Sequence, residues 1–194
     1  QWSRPENRLL AGKLLIVGGN AHGFAAPAEA FRAAETAGAG TARMVLPNSL
    51  RRFVGPAFTG GVLAPSTPSG SLSQQALAEL LQEAAWADGV LLAGDTGRNS
   101  ETAILLEKFL AKYSEQVTLT KDTLDYFTGT PQALLARPNT TLVLSFAQLQ
   151  KLAVNARFTT AFTFDMDIIR LVGALHEFTT AHPVFLVTKH LNNL

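Results

Sequence analysis

Short apolar runs alternate with amphipathic segments along most of the chain. The first run, KLLIV at residues 13–17, carries apolar side chains at successive positions and not at every second position. A run without alternation is typical of a strand buried on both faces, as in a parallel sheet. This pattern predicts strands at 13–17, 42–46, 62–63, 89–93, 117–120, 141–144 and 184–187.

The segments between these runs have helical spacing and helix-capping residues. The predicted helices are 25–38, 48–53, 74–87, 100–113, 124–127, 147–153 and a last one that begins at Thr163 or Asp165. Ser73 and either Asn99 or Ser100 are the predicted N-caps of the third and fourth helices. The residues expected to face the core include Leu77, Leu80, Leu81, Ala84, Ala85, Ile104, Leu105, Phe109, Tyr113, Ile168, Ile169, Val172 and Leu175.

Strands that alternate with helices require crossover connections and hence a mostly parallel sheet. We therefore predict an α/β fold whose sheet is flanked by helices on both faces. Residues 55–70 are rich in Gly, Pro, Ser and Thr and are predicted to be loop, apart from the short strand at 62–63. This loop is too short to divide the chain, so residues 1–194 form one domain, either whole or short of its C-terminal part.

Composition narrows the range of functions. The 194 residues are 47% hydrophobic and 16% charged, with a net charge of +1, which favours neither a nucleic-acid nor an anionic-membrane partner. The absence of cysteine excludes disulfides, thiolate metal sites and cysteine nucleophiles. The sequence shows no signal peptide and no apolar run of membrane-spanning length, so we expect a cytoplasmic protein.

Polar and small residues follow the predicted strands. In an open parallel sheet, ligands bind beyond the carboxyl ends of the strands. The loops that this rule selects are 18–23, 94–100, 120–123, 145–148 and 188–190. We therefore expect them to converge on one edge of the sheet.

The segment LLAGDTGRNSET at residues 91–102 is the strongest candidate for a ligand site. Glycines can turn the backbone with positive φ, the N–H groups that open the next helix can bind an anion, and an arginine can bind phosphate. The aspartate could hold a hydrated metal or a ribose hydroxyl, or could simply close the strand-to-helix turn with the arginine in solvent. The candidate nucleotide-binding residues are Gly94, Asp95, Gly97, Arg98, Asn99 and Ser100.

Two other loops supply candidate substrate-binding residues. GGNAHG at residues 18–23 matches neither a dinucleotide fingerprint nor a P-loop, but its glycines could bring the backbone close to a ligand. Asp122 could bind a ligand or act in acid–base chemistry, or could cap the short helix that follows. The candidates are Gly19, Asn20, His22, Lys121 and Asp122. The histidines lack metal-ligand spacing, so no dedicated metal site is expected.

Taken in order, these segments resemble the ribokinase-like superfamily, and within it the ADP/ATP-dependent NAD(P)H-hydrate dehydratases. The matching text is LLIVGGNAHGFAAPAEAFRAAETAGAGTARMVLP, then VLLAGDTGRNSET, then TKDTL, where Asp122 matches the second acid of the family's D-A-D-A-L. LSFAQLQKL stands where the family has T-P-H-P-G-E, with Gln148 in place of the glutamate, and residues 187–190 match its L-K-G strand end. The resemblance covers residues 12–190, and the order of the motifs is a stronger signal than any one of them.

The resemblance implies a cleft over the strand ends, binding of ADP or ATP, with magnesium an open question, and a small-molecule substrate. The family's G-T-G-D element, which carries its catalytic aspartate, follows the L-K-G strand and is absent from this sequence, so no catalytic base is assigned. An active protein would be a hydrate dehydratase or a small-molecule kinase. The alternatives are an inactive relative that binds a metabolite or assembles with itself as a homo-oligomer, and an unrelated doubly wound module.

Overall fold

A seven-stranded sheet forms the centre of the molecule. The computed structural model describes residues 11–55 and 59–190, and all the strand pairs in that part of the chain are parallel. The strands are β1 (Lys13–Gly18), β2 (Thr41–Pro47), β3 (Gly61–Ala64), β4 (Gly89–Gly94), β5 (Val117–Thr120), β6 (Thr140–Leu144) and β7 (Val184–Thr188). The prediction of a mostly parallel α/β sheet is thus confirmed.

The crossovers carry helices of very different lengths. They are α1 (Ala25–Ala37), α2 (Arg51–Val54), α3 (Leu77–Trp86), α4 (Ser100–Lys112), α5 (Asp122–Asp125), α6 (Gln132–Leu135), α7 (Phe146–Asn155) and α8 (Ile168–Ala181). Within the described ranges, the structure has no helix long and apolar enough to traverse a lipid bilayer.

The strand order is β3-β2-β1-β4-β5-β6-β7, so the order reverses between β1 and β4. The chain crosses from β1 to β2 on one side and from β4 to β5 on the other side. The carboxyl ends of β1 and β4 therefore form the topological switch point of the sheet. The pairing of β1 with β4 slips by one residue at this end, where Gly18 is paired with Gly94.

Helices cover the two faces of the sheet unequally. Successive residues of a strand point to opposite faces, and accordingly Leu15 belongs to one apolar cluster and Ile16 to the other. The larger cluster joins the sheet to α3, α4, α5, α6, α7 and α8. The smaller one involves α1, α2 and strands β1 to β4. Both faces carry helices, as predicted, but α1 is the one long helix among the described residues on its face.

The last helix differs from its prediction in both its start and its buried face. It begins at Ile168, and Asp167 caps it by accepting a hydrogen bond from Arg170 N. Ile169 is 81% exposed and Val172 is 56% exposed, and Ile168 is also exposed. The residues that α8 buries are Leu171, Ala174 and Phe178. The apolar residues of α8 form two stripes. The stripe that contains Phe178 faces the core, where the Phe178 ring packs edge-on against Phe158.

Smaller corrections affect α3, α4 and α5. Ser73 precedes a 3₁₀ turn at Gln74–Ala76 and makes no side-chain cap, while Asn99 does cap α4. Ala85 and Ile104 were expected to face the core but are exposed. The helix α5 begins at Asp122, two residues earlier than predicted.

A buried arginine joins the α4–β5 loop to the segment that leads into β6. Arg137 is 8% exposed, and its guanidinium donates to the carbonyl oxygens of Tyr113 and Glu115, the latter at 2.6 Å. It also donates to Thr140 Oγ1 at 2.7 Å and to Asn139 O at 3.3 Å. Burial lowers the pKa of Arg137, and the bonds to carbonyl oxygens offset the cost of desolvating its charge.

Replacing Arg137 by lysine should lower the free energy of unfolding by about 2–4 kcal/mol, because an ammonium group cannot reach the carbonyl oxygens on both segments and leaves some of them unsatisfied. Urea denaturation measures the change. Arg32→Lys, on the exposed surface of α1, is the matched control and should stay within about 0.5 kcal/mol of the parent. An equally small effect at Arg137 would contradict the cross-linking role.

Tyr113 should make the protein sensitive to alkali. Burial raises the pKa of its phenol, so the group ionises more readily in the unfolded chain than in the folded one. Its contribution to stability is therefore present below about pH 10, the ordinary tyrosine pKa, and is lost as the pH rises through the folded value.

Phenylalanine at position 113 keeps the stacking on Phe109 and removes the hydroxyl, which has no hydrogen-bond partner among the described residues. Tyr113→Phe should lose less stability than the parent between pH 9 and pH 11, as measured by thermal unfolding. Parallel stability curves for the two proteins would contradict this account.

Candidate functional site

The loops after β1 and β4 are joined directly at the switch point. Gly19 N donates to Gly94 O at 3.0 Å, and Asn20 Nδ2 donates to Asp95 O at 2.6 Å. Asn20 Oδ1 also accepts a hydrogen bond from His22 N at 2.7 Å. The sequence prediction that these two loops converge is confirmed. The contacts between the loops are made by Gly19, Asn20, Gly94 and Asp95, which are all candidate ligand-binding residues.

Asp95 caps a helix that lies 69 residues away in the sequence. Its Oδ2 accepts a hydrogen bond from Ala26 N, in the first turn of α1, at 2.7 Å. The N-cap residue of α1 itself, Phe24, provides no side-chain cap. Asp95 has φ of 56°, and the neighbouring Gly94 and Gly97 also have positive φ, as predicted. The carboxylate of Asp95 therefore caps α1, a role that the sequence did not predict, and among the described residues it makes no bond that closes the turn between β4 and α4.

Asp122 holds the β4–α4 loop in place. Its Oδ2 accepts hydrogen bonds from Thr96 Oγ1 at 3.2 Å and from Gly97 N at 3.1 Å. Its Oδ1 is buried and has no partner among the described residues. The side chain therefore reaches across to the β4 loop and does not cap α5, which was the structural alternative.

Asn99 fixes the start of α4. Its Oδ1 accepts hydrogen bonds from Glu101 N at 2.8 Å and Thr102 N at 3.4 Å, and its Nδ2 donates to Ser69 Oγ at 2.8 Å. Ser69 lies in the segment that is predicted to be loop, and the structure agrees. This loop lies against the β4–α4 loop so closely that a Cβ on Gly97 would be 2.9 Å from Ser71 Oγ.

Tyr126 is a site residue that the sequence did not reveal. Its hydroxyl donates to Gly97 O and accepts a hydrogen bond from Asn99 N at 3.4 Å. Burial raises the pKa of Tyr126, so the phenol stays protonated as a donor at neutral pH. In the sequence it is a single tyrosine in a predicted short helix. It reaches the site only because α5 packs beside α4.

A polar cavity of about 540 Å³ lies beside this network, at the carboxyl ends of β4 and β5. Arg98 and Lys151 contribute positive charge, and Asp122 and Asp125 contribute negative charge. Lys151, on α7, is a second residue that the sequence pattern missed. The rest of the lining is Gly97, Asn99, Ser100, Ala103 and Tyr126.

The other predicted residues lie outside this cavity. His22 is exposed and lines a small apolar pocket with Phe24, Leu50 and Phe53. Lys121 lines a different cavity, on the α1 face of the sheet. The predicted nucleotide and substrate residues therefore share one edge of the sheet but not one cavity.

The loops after β6 and β7 serve mainly to hold neighbouring segments. Ser145 and Gln148 form a capping box at the start of α7, and Gln148 Nε2 donates to Lys121 O at 2.9 Å. His190 is 3% exposed, lies against the ring of Phe146, and has Nε2 at 3.1 Å from Phe164 O.

The donor set of the polar cavity suits a nucleotide phosphate better than a resident metal. Arginine and lysine bind phosphate through charge-assisted hydrogen bonds. Magnesium in nucleotide sites needs only one or two carboxylates besides the phosphates. Asp122 is bonded to the β4–α4 loop through Oδ2 and its Oδ1 is buried, so Asp125 is the carboxylate of the lining that fits this role. Residues 11–55 and 59–190 contain no cluster of three or more side chains suited to hold a metal ion alone.

Two solved structures share the fold at low sequence identity. A ribokinase-like superfamily protein from Enterococcus faecalis has a TM-score of 0.71 and 14% identity over 96% of this chain and 61% of its own. A hypothetical protein from Streptococcus mutans has a TM-score of 0.62 and 14% identity over 96% of this chain and 63% of its own. Neither the known family models nor the curated proteins gave a match.

This chain therefore has the fold of ribokinase-like proteins, an α/β sheet of parallel strands, and it spans about three fifths of the length of these two structures. At 14% identity the likeness concerns the fold.

Asp95→Ala should lower the free energy of unfolding by about 1 kcal/mol, the usual cost of removing a helix cap. Asp95→Asn should recover most of that loss, since an amide oxygen also caps a helix. Thermal and urea unfolding measure both variants, with Glu35→Ala, at an exposed position of α1, as the control. If Asp95→Ala is as stable as the parent, the capping bond has no energetic importance.

Proposed function

We propose that the protein binds ADP or ATP in the polar cavity at the carboxyl ends of β4 and β5, as part of a small-molecule kinase or a NAD(P)H-hydrate dehydratase. The observation that carries this proposal is the position of Arg98 and Lys151. Both line a cavity that opens beside the N-terminus of α4, at the edge of the sheet where doubly wound folds bind their ligands.

In this proposal the parts of the cavity have different tasks. Arg98 and Lys151 bind phosphate oxygens. Asn99 already occupies the N–H groups of Glu101 and Thr102, so the side chains supply most of the attraction for the anion. Asp122 and Tyr126 keep the loop of residues 95–99 in one conformation, which keeps Arg98 at the cavity.

A bound nucleotide would supply the phosphoryl group of a kinase or the driving force of an ATP-dependent dehydration. Magnesium, if the nucleotide brings it, would lie near Asp125. Phosphoryl transfer depends mainly on positioning and on compensating negative charge, and this is the chemistry that two cations beside a phosphate can provide.

A second candidate function is metabolite binding or self-assembly without catalysis. It is favoured because two candidate acids already make structural hydrogen bonds: Asp95 caps α1, and Asp122 holds the β4–α4 loop. Neither carboxylate is then free to act as a general base. The exposed side chains Ile169, Val172 and Phe185 offer apolar surface for self-association.

Arg98→Ala should weaken ADP and ATP binding about tenfold to a hundredfold, the usual worth of a charge-assisted hydrogen bond. Isothermal titration calorimetry, with and without magnesium, measures the affinity. The variant should unfold at the temperature of the parent, because the Arg98 side chain is exposed.

Matched controls are Arg32→Ala on α1 and Lys112→Ala at the far end of α4, and Lys151→Ala should resemble Arg98→Ala. Unchanged affinity in both cavity variants would refute the assignment of the site. If the parent binds no ADP, ATP or NADH and sediments as a stable oligomer, the self-assembly alternative is the better account.

A further inference from the structure

A second cavity, of about 500 Å³, lies on the opposite face of the sheet from the polar one. Its floor is the sheet surface of β4 and β6, including Leu91, Ala93 and Val143. Its wall is α1, which contributes Ala26, Ala30 and Ala33. We call it the α1 cleft. Because alanine side chains are short, they leave an apolar gap between helix and sheet.

Polar groups meet at one end of the α1 cleft, but most of them are already bonded. Ser145 and Gln148 bond to each other in the capping box of α7, and Thr120 Oγ1 donates to Ala93 O at 2.8 Å. The charged groups at this end are Lys121 and Glu29, with Nζ and Oε2 separated by 3.7 Å. Both side chains are more than half exposed, so the ion pair contributes little to the stability of the fold. An incoming ion can therefore replace either partner.

The backbone holds Lys121 at the mouth of the cleft. It has φ of 53° and ψ of −134°, a combination that side-chain-bearing residues rarely adopt. Gln148 Nε2 donates to its carbonyl oxygen at 2.9 Å, and the next residue, Asp122, is bonded to the β4–α4 loop. These contacts set the position of the Lys121 backbone, from which the side chain extends along the mouth of the cleft.

The charges at this end of the cleft favour an anion at Lys121. The helix α7 begins at this edge of the sheet with only uncharged side chains in its first turn, so its positive end adds to the charge of Lys121 and opposes that of Glu29. The positive end of α1 is offset by the carboxylate of Asp95, which caps that helix.

We propose that the α1 cleft binds a small molecule with an apolar body and one carboxylate, the body lying between α1 and the sheet and the carboxylate on Lys121. Largely apolar pockets with a few convergent polar groups are the usual form of small-molecule sites. This site is independent of the proposed nucleotide site, because the two share no lining residue.

The test compares 2-naphthoate with 2-naphthylmethanol, which has the same ring system without the charge, by ligand-observed NMR titration. The parent should bind the carboxylate about tenfold more tightly than the alcohol. Lys121→Gln should abolish this preference, and Ala30→Leu should remove binding of both compounds by filling the cleft. Ala85→Leu, on the exposed surface of α3, is the matched control and should bind as the parent does.

Ala33→Leu replaces Ala30→Leu if the latter lowers the unfolding temperature, since Ala33 is exposed and lines the same cleft. Absence of naphthoate binding at millimolar concentration, equal affinity for acid and alcohol, or binding that survives filling of the cleft would each overturn the proposal. Nucleotide affinity should be unchanged in the cleft variants, and Arg98→Ala should keep its naphthoate affinity, so the failure of one site is distinguishable from the failure of the other.

Discussion

The close approach of β1 and β4 at their carboxyl ends is the constraint on which the rest of the site depends. A Cβ on Gly18 would lie 2.3 Å from the carbonyl oxygen of Gly94, so only glycine fits at that position. The contact lets Gly19 N bond directly to Gly94 O and brings the two loops together at the switch point of the sheet. A larger residue would separate the strands at the place where both loops begin.

From that contact a network of polar side chains extends around the edge of the sheet. Asn20, Asp95 and Asp122 each bond to a neighbouring loop or helix, and Asn99 joins the start of α4 to the loop containing Ser69. These residues have the types expected of ligand contacts, yet their bonds are internal. Polar residue types at strand ends therefore predict where a site lies, but they do not predict which side chain binds a ligand.

The unequal covering of the sheet explains why the two cavities differ. On one face, helices α3 to α8 pack against the sheet, and the polar cavity lies at the edge of the sheet. On the other, α1 covers β1, β2 and part of β4, and residues of β5 to β7 such as Phe185, 64% exposed, lie open among the described residues. Parallel sheets usually bury both faces, so apolar surface on this face is available for binding.

The sequence by itself determined the order of the strands and of the helices other than α6, the parallel sheet, and the edge at which the polar loops converge. Those features follow from local patterns: apolar runs without alternation, helical spacing, and glycines at strand ends such as Gly94 and Gly97. The cap of α4 at Asn99 was predictable for the same reason, because it involves only neighbouring residues.

Tertiary structure decided which residues share a cavity and which apolar stripe of α8 is buried. Tyr126 and Lys151 join Arg98 only because α5 and α7 pack next to α4, and Lys121 is separated from them by the sheet. Ile169 and Phe178 are both apolar residues of one helix, and the choice between them depends on the ring of Phe158, 20 residues before Phe178. Local spacing carries no information about such contacts, since they form between segments that are far apart in the chain.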